Sequence, residues 1–141
     1  MKRKASAAWQ GDLKTGKGKI STESGTLKET QYSFSTRFEN GVGTNPEELI
    51  AAAHAGCFTM AFSAELGKAG FTPASINTTA TVTLDKTEAG FTVTESHLDM
   101  TAKIPGIDAE KFTAIANGAK TGCPISRLLN AKISLDAKLE A

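Results

Sequence analysis

Asn45-Pro46-Glu47-Glu48-Leu49-Ile50-Ala51-Ala52-Ala53-His54-Ala55-Gly56-Cys57-Phe58-Thr59-Met60-Ala61-Phe62-Ser63-Ala64 is the stretch whose reading decides the architecture. Asparagine caps a helix by accepting an unused first-turn N–H. Proline suits the first helical position because it has no N–H to lose, and two acids meet the positive end of the helix dipole. The helix continues to about Lys68 and stops at Gly70, with Pro73 beyond. Between Ile50 and Ala64 it is apolar nearly all round, which predicts burial over most of its circumference. A chain of 141 residues has too little else to cover such a helix, so a homodimer is expected. The uncharged run ends at Glu65, short of the about 18 residues a membrane span requires, and the reading is a core helix with no membrane partner.

Working outward, the segments before the helix carry β signals: Ala7 to Gln10 around Trp9, Lys17 to Ser21, and Tyr32 to Phe38, separated by glycines. Gly16 and Gly18 read as turn residues, since no helix follows them as a phosphate loop would demand. In the third strand Tyr32, Phe34 and Phe38 share one face, which sends Arg37 to the other. After the helix, Ile76, Thr78, Ala80, Val82 and Leu84 alternate along a strand, and a turn follows at Lys86 to Gly90. The next strand begins with Phe91 and Val93 inward and continues with Leu98, Met100, Ala102 and Ile104. That change of parity predicts a β-bulge near Glu95 and Ser96. Asp108 caps a second helix carrying Phe112, Ile115, Ala116 and Ala119, ended by Gly122-Cys123-Pro124, and a last strand runs from Ala131 to Leu139. Strands, helix, long hairpin, helix and strand make an α+β fold with a mainly antiparallel sheet, in one domain over residues 1–141.

Composition narrows the function classes. With 40% hydrophobic residues, 22% charged residues and a net charge of +1, the chain is neither a disordered tail nor a polycation that seeks nucleic acid. Met1-Lys2-Arg3-Lys4 is basic, but no apolar run follows it as in an export signal, so a cytoplasmic location is expected. In a reducing compartment two cysteines point to redox or metal chemistry rather than a structural staple.

Cys57 lies in the middle of the apolar helix and Cys123 at the end of the second one. A free thiol with a pKa of about 8.5 is only about 3% ionised at pH 7, and burial lowers that fraction. A buried nucleophilic sulfur therefore needs a cation. Arg37 is the preferred candidate because a guanidinium is always charged and holds a carboxylate as well; Arg127 is its rival. Glu48, three residues after the Asn45 cap, suits a capping box, which leaves Glu47 to pair with Arg37. Ten residues at about 1.5 Å each separate Glu47 from Cys57 along a straight helix. Either the helix breaks near Gly56 or the acid comes from a second subunit. His54 shares a face with Cys57, and His97 is expected to be exposed. With the cysteines they make four zinc-capable residues, but their spacing matches no compact metal motif, and no cofactor is expected.

Thr44-Asn45-Pro46-Glu47-Glu48-Leu49-Ile50-Ala51-Ala52-Ala53-His54-Ala55-Gly56-Cys57-Phe58, with Gly122-Cys123-Pro124-Ile125-Ser126 downstream, resembles the osmotically inducible protein C family, which includes the organic hydroperoxide resistance proteins. Thr36-Arg37-Phe38-Glu39 before the glycine loop is most similar to the osmotically inducible branch. The resemblance implies an intertwined homodimer in which sheets wrap central helices and two sites lie at the interface. It implies Cys57 as peroxidatic cysteine, Cys123 as resolving cysteine and Arg37 with Glu47 as the assisting pair. The implied reaction is reduction of an organic hydroperoxide through a Cys57 sulfenic acid and a Cys57–Cys123 disulfide, which a small dithiol or lipoyl-type reductant reopens. Phe58, Met60 and Phe62 offer an apolar setting for alkyl peroxides. The alternatives are a non-catalytic dimeric binding or scaffold protein with filler cysteines, and a metal-binding module.

Overall fold

The computed structural model describes all 141 residues and is α+β. Chain contacts divide it into two compact units, Met1–Leu49 and Ile50–Ala141, and each is described by itself.

In the first unit, β1 (Ala5–Gln10), β2 (Lys17–Thr22) and β3 (Thr30–Tyr32) form an antiparallel sheet in that order. Gly18 sits within β2 rather than in a turn, because a Cβ there would lie 2.4 Å from the Tyr32 ring and 2.7 Å from Trp9. Its missing side chain is what lets those two rings approach to 5.5 Å between centroids. The expected strand over Tyr32 to Phe38 is cut short by a helix, α1 (Phe34–Phe38). The Ser33 hydroxyl accepts the Thr36 N–H and the Thr36 hydroxyl accepts the Ser33 N–H, so a capping box starts a helical turn where side-chain alternation alone suggested β. Phe34 and Phe38 are then one turn apart, with ring centroids at 4.9 Å.

The long helix α2 (Pro46–Lys68) opens as its sequence dictates, the Asn45 side chain accepting the Glu48 N–H at 2.8 Å. It is unbroken at Gly56 and ends before Gly70, whose φ of +86° suits glycine. Glu48 does not reach back to the cap amide; its carboxylate accepts the Thr44 hydroxyl at 2.9 Å.

In the second unit, β4 (Ser75–Thr87) and β5 (Gly90–Lys103) pair antiparallel. Thr83 pairs with Glu95 and Leu84 with Val93, which leaves Thr94 as the extra residue of a bulge. The irregularity thus adjoins the expected position, and past it Ser96, Leu98, Met100 and Ala102 all turn inward. Phe91, expected inward, is 62% exposed near the hairpin turn. Helices α3 (Ala109–Gly122) and α4 (Pro124–Leu128) then carry the chain to β6 (Lys132–Glu140), which runs parallel to β5. A parallel neighbour requires such a crossover. The sheet order is β4-β5-β6, and with a single parallel pair, β5 with β6, the pairing is mainly antiparallel as expected.

One apolar cluster organises this unit. Phe58, Phe62 and Leu66, at helical spacing on α2, pack with Leu98, Met100 and Ala102 of β5 and Phe112, Ala116 and Ala119 of α3. Phe62 stacks with Phe58 at 6.1 Å and meets the Phe112 ring edge-on at 5.9 Å. Burying each such phenylalanine or leucine stabilises the fold by about 1.5–3 kcal/mol. α2 is the one helix long and apolar enough to cross a membrane by length and composition, yet its His54–Phe58–Phe62–Leu66 stripe belongs to this core. Other positions on its circumference stay open within the chain, Met60 being 76% exposed, and the burial expected over most of the helix was expected from a second copy.

Candidate active site

Two side-chain pairs are the candidates for the chemistry, and they form in different units. The first is Cys57 with Cys123. Cys57 lies on α2 beside the buried stripe and is half-buried, while Cys123 is fully buried. Pro124 cannot continue α3, so the chain turns at Cys123 and starts α4 there. The Cys123 N–H closes α3 on Ala119 at 2.9 Å and its carbonyl accepts the Arg127 N–H at 3.1 Å. The junction holds the Cys123 sulfur 2.9 Å from the Cys57 sulfur, across 66 positions of sequence. Both thiols are free.

Burial pushes the Cys57 thiol above its ordinary pKa, and the neighbouring Cys123 sulfur adds to the effect. The backbone N–H of Ile125, the second residue of α4, works against both and favours the thiolate. Sequence patterns do not single out this amide, since a backbone group leaves no mark in residue type. Arg127, the rival cation, is an exposed residue in the last turn of α4.

His54, one turn before Cys57, is completely buried. Its Nδ1 lies 2.6 Å from the Ser96 hydroxyl of β5 and its Nε2 2.7 Å from the Ser126 hydroxyl of α4. Burial holds its pKa below the usual histidine value, so the ring is neutral at pH 7, one nitrogen donating and the other accepting. With both nitrogens engaged by serines, His54 forms neither a zinc site nor a base pair with Cys57. His97 is half-buried rather than exposed: Nδ1 meets Ser134 at 2.5 Å, and Nε2 faces Asp136 at 3.1 Å and Asp99 at 3.4 Å. It belongs to the outer face of the sheet, opposite in parity to Ser96 and Leu98.

The second pair is Arg37 with Glu47. The guanidinium grips the carboxylate through two nitrogens, Nε at 3.2 Å and Nη2 at 2.7 Å from Oε1. Local structure prepares this fork. α1 aims Arg37, the Asn45 side chain donates to the Thr36 carbonyl at 3.1 Å, and the Thr44 N–H donates to the Gln31 carbonyl at 2.9 Å. Gly43 makes that closure possible, since its φ is +140° and a Cβ would meet the Gln31 carbonyl oxygen at 2.4 Å. Contrary to the strand reading, Arg37 does not leave the aromatic face: its guanidinium carbon lies 5.4 Å from the Phe38 ring centroid. Trp9, Leu13, Tyr32, Phe34 and Phe38 join it around an open apolar cavity of about 290 Å³. Of Phe58, Met60 and Phe62, read as an apolar setting, the two phenylalanines are sealed in the core and Met60 points outward.

Comparison with known proteins identifies the family. A model of the OsmC-like protein family matches residues 38–138, beginning one residue after Arg37. Peroxiredoxin OsmC of Escherichia coli K12 is 56% identical over 139 residues, covering 99% of this chain and 97% of the relative. Organic hydroperoxide resistance protein OhrB of Bacillus subtilis is 27% identical over 124 residues, covering 87% and 88%. Among solved structures, an OsmC-like protein of unknown function from Vibrio cholerae superposes with a TM-score of 0.78 at 16% identity, over 97% of this chain and 99% of that one. The crystal structure of the Bacillus subtilis OhrB superposes with a TM-score of 0.68 at 23% identity, over 97% and 98%. At such identities the structural likeness is one of fold.

Proposed function

The chain belongs to the OsmC-like protein family and is a cysteine-based peroxidase, and from that premise we propose that it reduces organic hydroperoxides through a Cys57–Cys123 disulfide. The observation that carries the reading is the 2.9 Å approach of the two free sulfurs. In the first step Cys57 thiolate attacks the outer peroxide oxygen, the O–O bond breaks, and the alkoxide leaves as alcohol after taking a proton, leaving Cys57 as sulfenic acid. In the second, the Cys123 sulfur displaces that hydroxyl as water and the disulfide forms. A small dithiol or lipoyl-type reductant returns both thiols, and a cytoplasmic setting keeps such reductants at hand.

Burial opposes the thiolate the first step needs, so the site requires a cation. Arg37 is that cation in this reading, with Glu47 orienting it. Because α2 is unbroken, Glu47 stays about 15 Å from Cys57 along their shared helix. The Arg37–Glu47 pair therefore serves Cys57 of a second copy, the homodimer covers the bare apolar faces of α2, and residues 1–141 act as one domain. The aromatic cavity around Arg37 then receives the organic group of the substrate, which favours alkyl over hydrogen peroxide. Titration of thiols after one equivalent of cumene hydroperoxide tests the reading: two thiols vanish together, far faster than for free cysteine and faster than with hydrogen peroxide. Loss at the free-cysteine rate overturns it in favour of a non-catalytic scaffold, and equal rates for the two peroxides overturn the substrate assignment.

A further inference from the structure

We propose that His54 is a positioning residue for the second step, holding the Cys123 segment against the Cys57 turn through the Ser126 hydroxyl; the inference rests on the disulfide reading above. α4 has five residues, its Cys123 N-cap makes no side-chain capping bond, and Arg127 and Leu128 at its far end are exposed. Left to itself such a turn is marginal. One polar tie fastens it to α2: the Ser126 hydroxyl reaches His54 Nε2 at 2.7 Å. Peroxide attack converts the Cys57 sulfur to sulfenic acid, whereas this tie lies one helical turn away, buried and untouched by the chemistry.

The other ring nitrogen explains why a histidine stands here. Ser96 of β5 holds Nδ1 at 2.6 Å, so the imidazole is braced from the sheet side and cannot rotate away from Ser126. A leucine would fill the space without the cost of burying polar atoms, but it would leave the Ser126 hydroxyl unpaired and α4 without this fastening. The step that depends on it is balanced: the Cys57–Cys123 S–S bond forms, the Cys57 S–O bond breaks, and hydroxide leaves with the Cys123 proton as water. Its rate follows how often the Cys123 sulfur sits behind the S–O bond, a proximity effect that small displacements of α4 erode.

Four variants test this in the full chain: Ser126→Ala, His54→Asn, His54→Gln and, as control, Thr59→Val. Asparagine keeps a nitrogen near Nδ1 but cannot reach Ser126, whereas glutamine places one near Nε2. Thr59→Val breaks a different link of α2 to the sheet, the 2.8 Å bond to Thr78, and leaves α4 alone. One readout is the effective concentration of Cys57 and Cys123 for each other, from equilibrium with oxidised dithiothreitol. The other is stopped-flow kinetics, separating peroxide consumption from disulfide formation, with a cyclic diketone trapping sulfenic acid. Ser126→Ala and His54→Asn are expected to lower the effective concentration and slow disulfide formation by about 10- to 100-fold. Peroxide consumption stays within about twofold, trapped sulfenic acid rises, His54→Gln recovers most of the loss, and Thr59→Val changes neither readout. Unchanged effective concentration in Ser126→Ala and His54→Asn overturns the proposal, as does an equal loss in Thr59→Val. The dithiothreitol equilibrium needs no peroxide, so it is read even where the wild-type chain fails to consume peroxide, an outcome that sinks the peroxidase reading instead.

Discussion

The two units hold different side-chain pairs in opposite electrostatic settings. Ile50–Ala141 brings two sulfurs together in a dry setting that raises the Cys57 pKa, with the Ile125 backbone N–H working in the other direction. Met1–Leu49 assembles a charged fork, Arg37 on Glu47, beside an apolar cavity that no cysteine lines. Proximity without charge makes a disulfide pair that reacts slowly, and charge without proximity makes an ordinary ion pair worth little, given that the Arg37 side chain is 38% exposed. On the proposed function, activation of Cys57 is separable from its placement, so each can be removed alone.

The largest expected effect comes from the sulfur side. Cys57→Ser is expected to reduce peroxide consumption to the rate without protein, whereas Cys123→Ser keeps one turnover and stalls the dithiol-driven cycle; a coupled dithiol assay and a single-turnover measurement check both. Full activity in Cys57→Ser breaks the comparison outright.

Removing the charge is the next effect. Arg37→Met is expected to slow Cys57 alkylation by iodoacetamide at pH 7 by about 10- to 100-fold, the loss of one nearby opposite charge on a thiolate. Mixing the Arg37→Met and Cys57→Ser chains sharpens the point. If the fork of one copy serves the sulfur of another, about a quarter of wild-type activity returns, because half of random dimers are mixed and each holds one complete site. No recovery on mixing confines the fork to its own chain.

The smallest effect concerns stability rather than rate. The folded His54 pKa is depressed by burial, so at pH values below about 6.5 the unfolded chain takes up a proton the folded one resists. This contribution is fully present above that pH and is lost as pH falls toward the folded pKa. Urea unfolding at pH 7.5 and pH 5.5 is expected to show a drop in wild-type stability that His54→Gln lacks; equal drops remove His54 from the pH response.

Much of this was legible in advance wherever the deciding groups are neighbours in the chain. The Asn45 cap, Pro46 and Gly70 bound α2 through hydrogen bonds that close within a few residues, and the parity change after Thr94 follows from strict alternation on a sheet with one buried face. The Arg37–Glu47 pairing was also reachable, by eliminating Glu48 as a capping residue, although Glu48 in fact binds Thr44. α1 misled the reading because Phe34, Arg37 and Phe38 fit a strand's alternation, while the Ser33–Thr36 capping box that overrules it shows as two ordinary hydroxyl residues.

The sequence alone determined the α+β order, the family and the two cysteines. Only tertiary structure decided that sulfurs 66 positions apart meet, that His54 reaches serines 42 and 72 positions away, and that Phe58 and Phe62 seal the core while Met60 faces out. Caps, turns and alternation are settled by hydrogen bonds and sterics within a few residues. Which apolar face turns inward, and which distant hydroxyl a buried imidazole finds, is settled by packing, which no single segment holds.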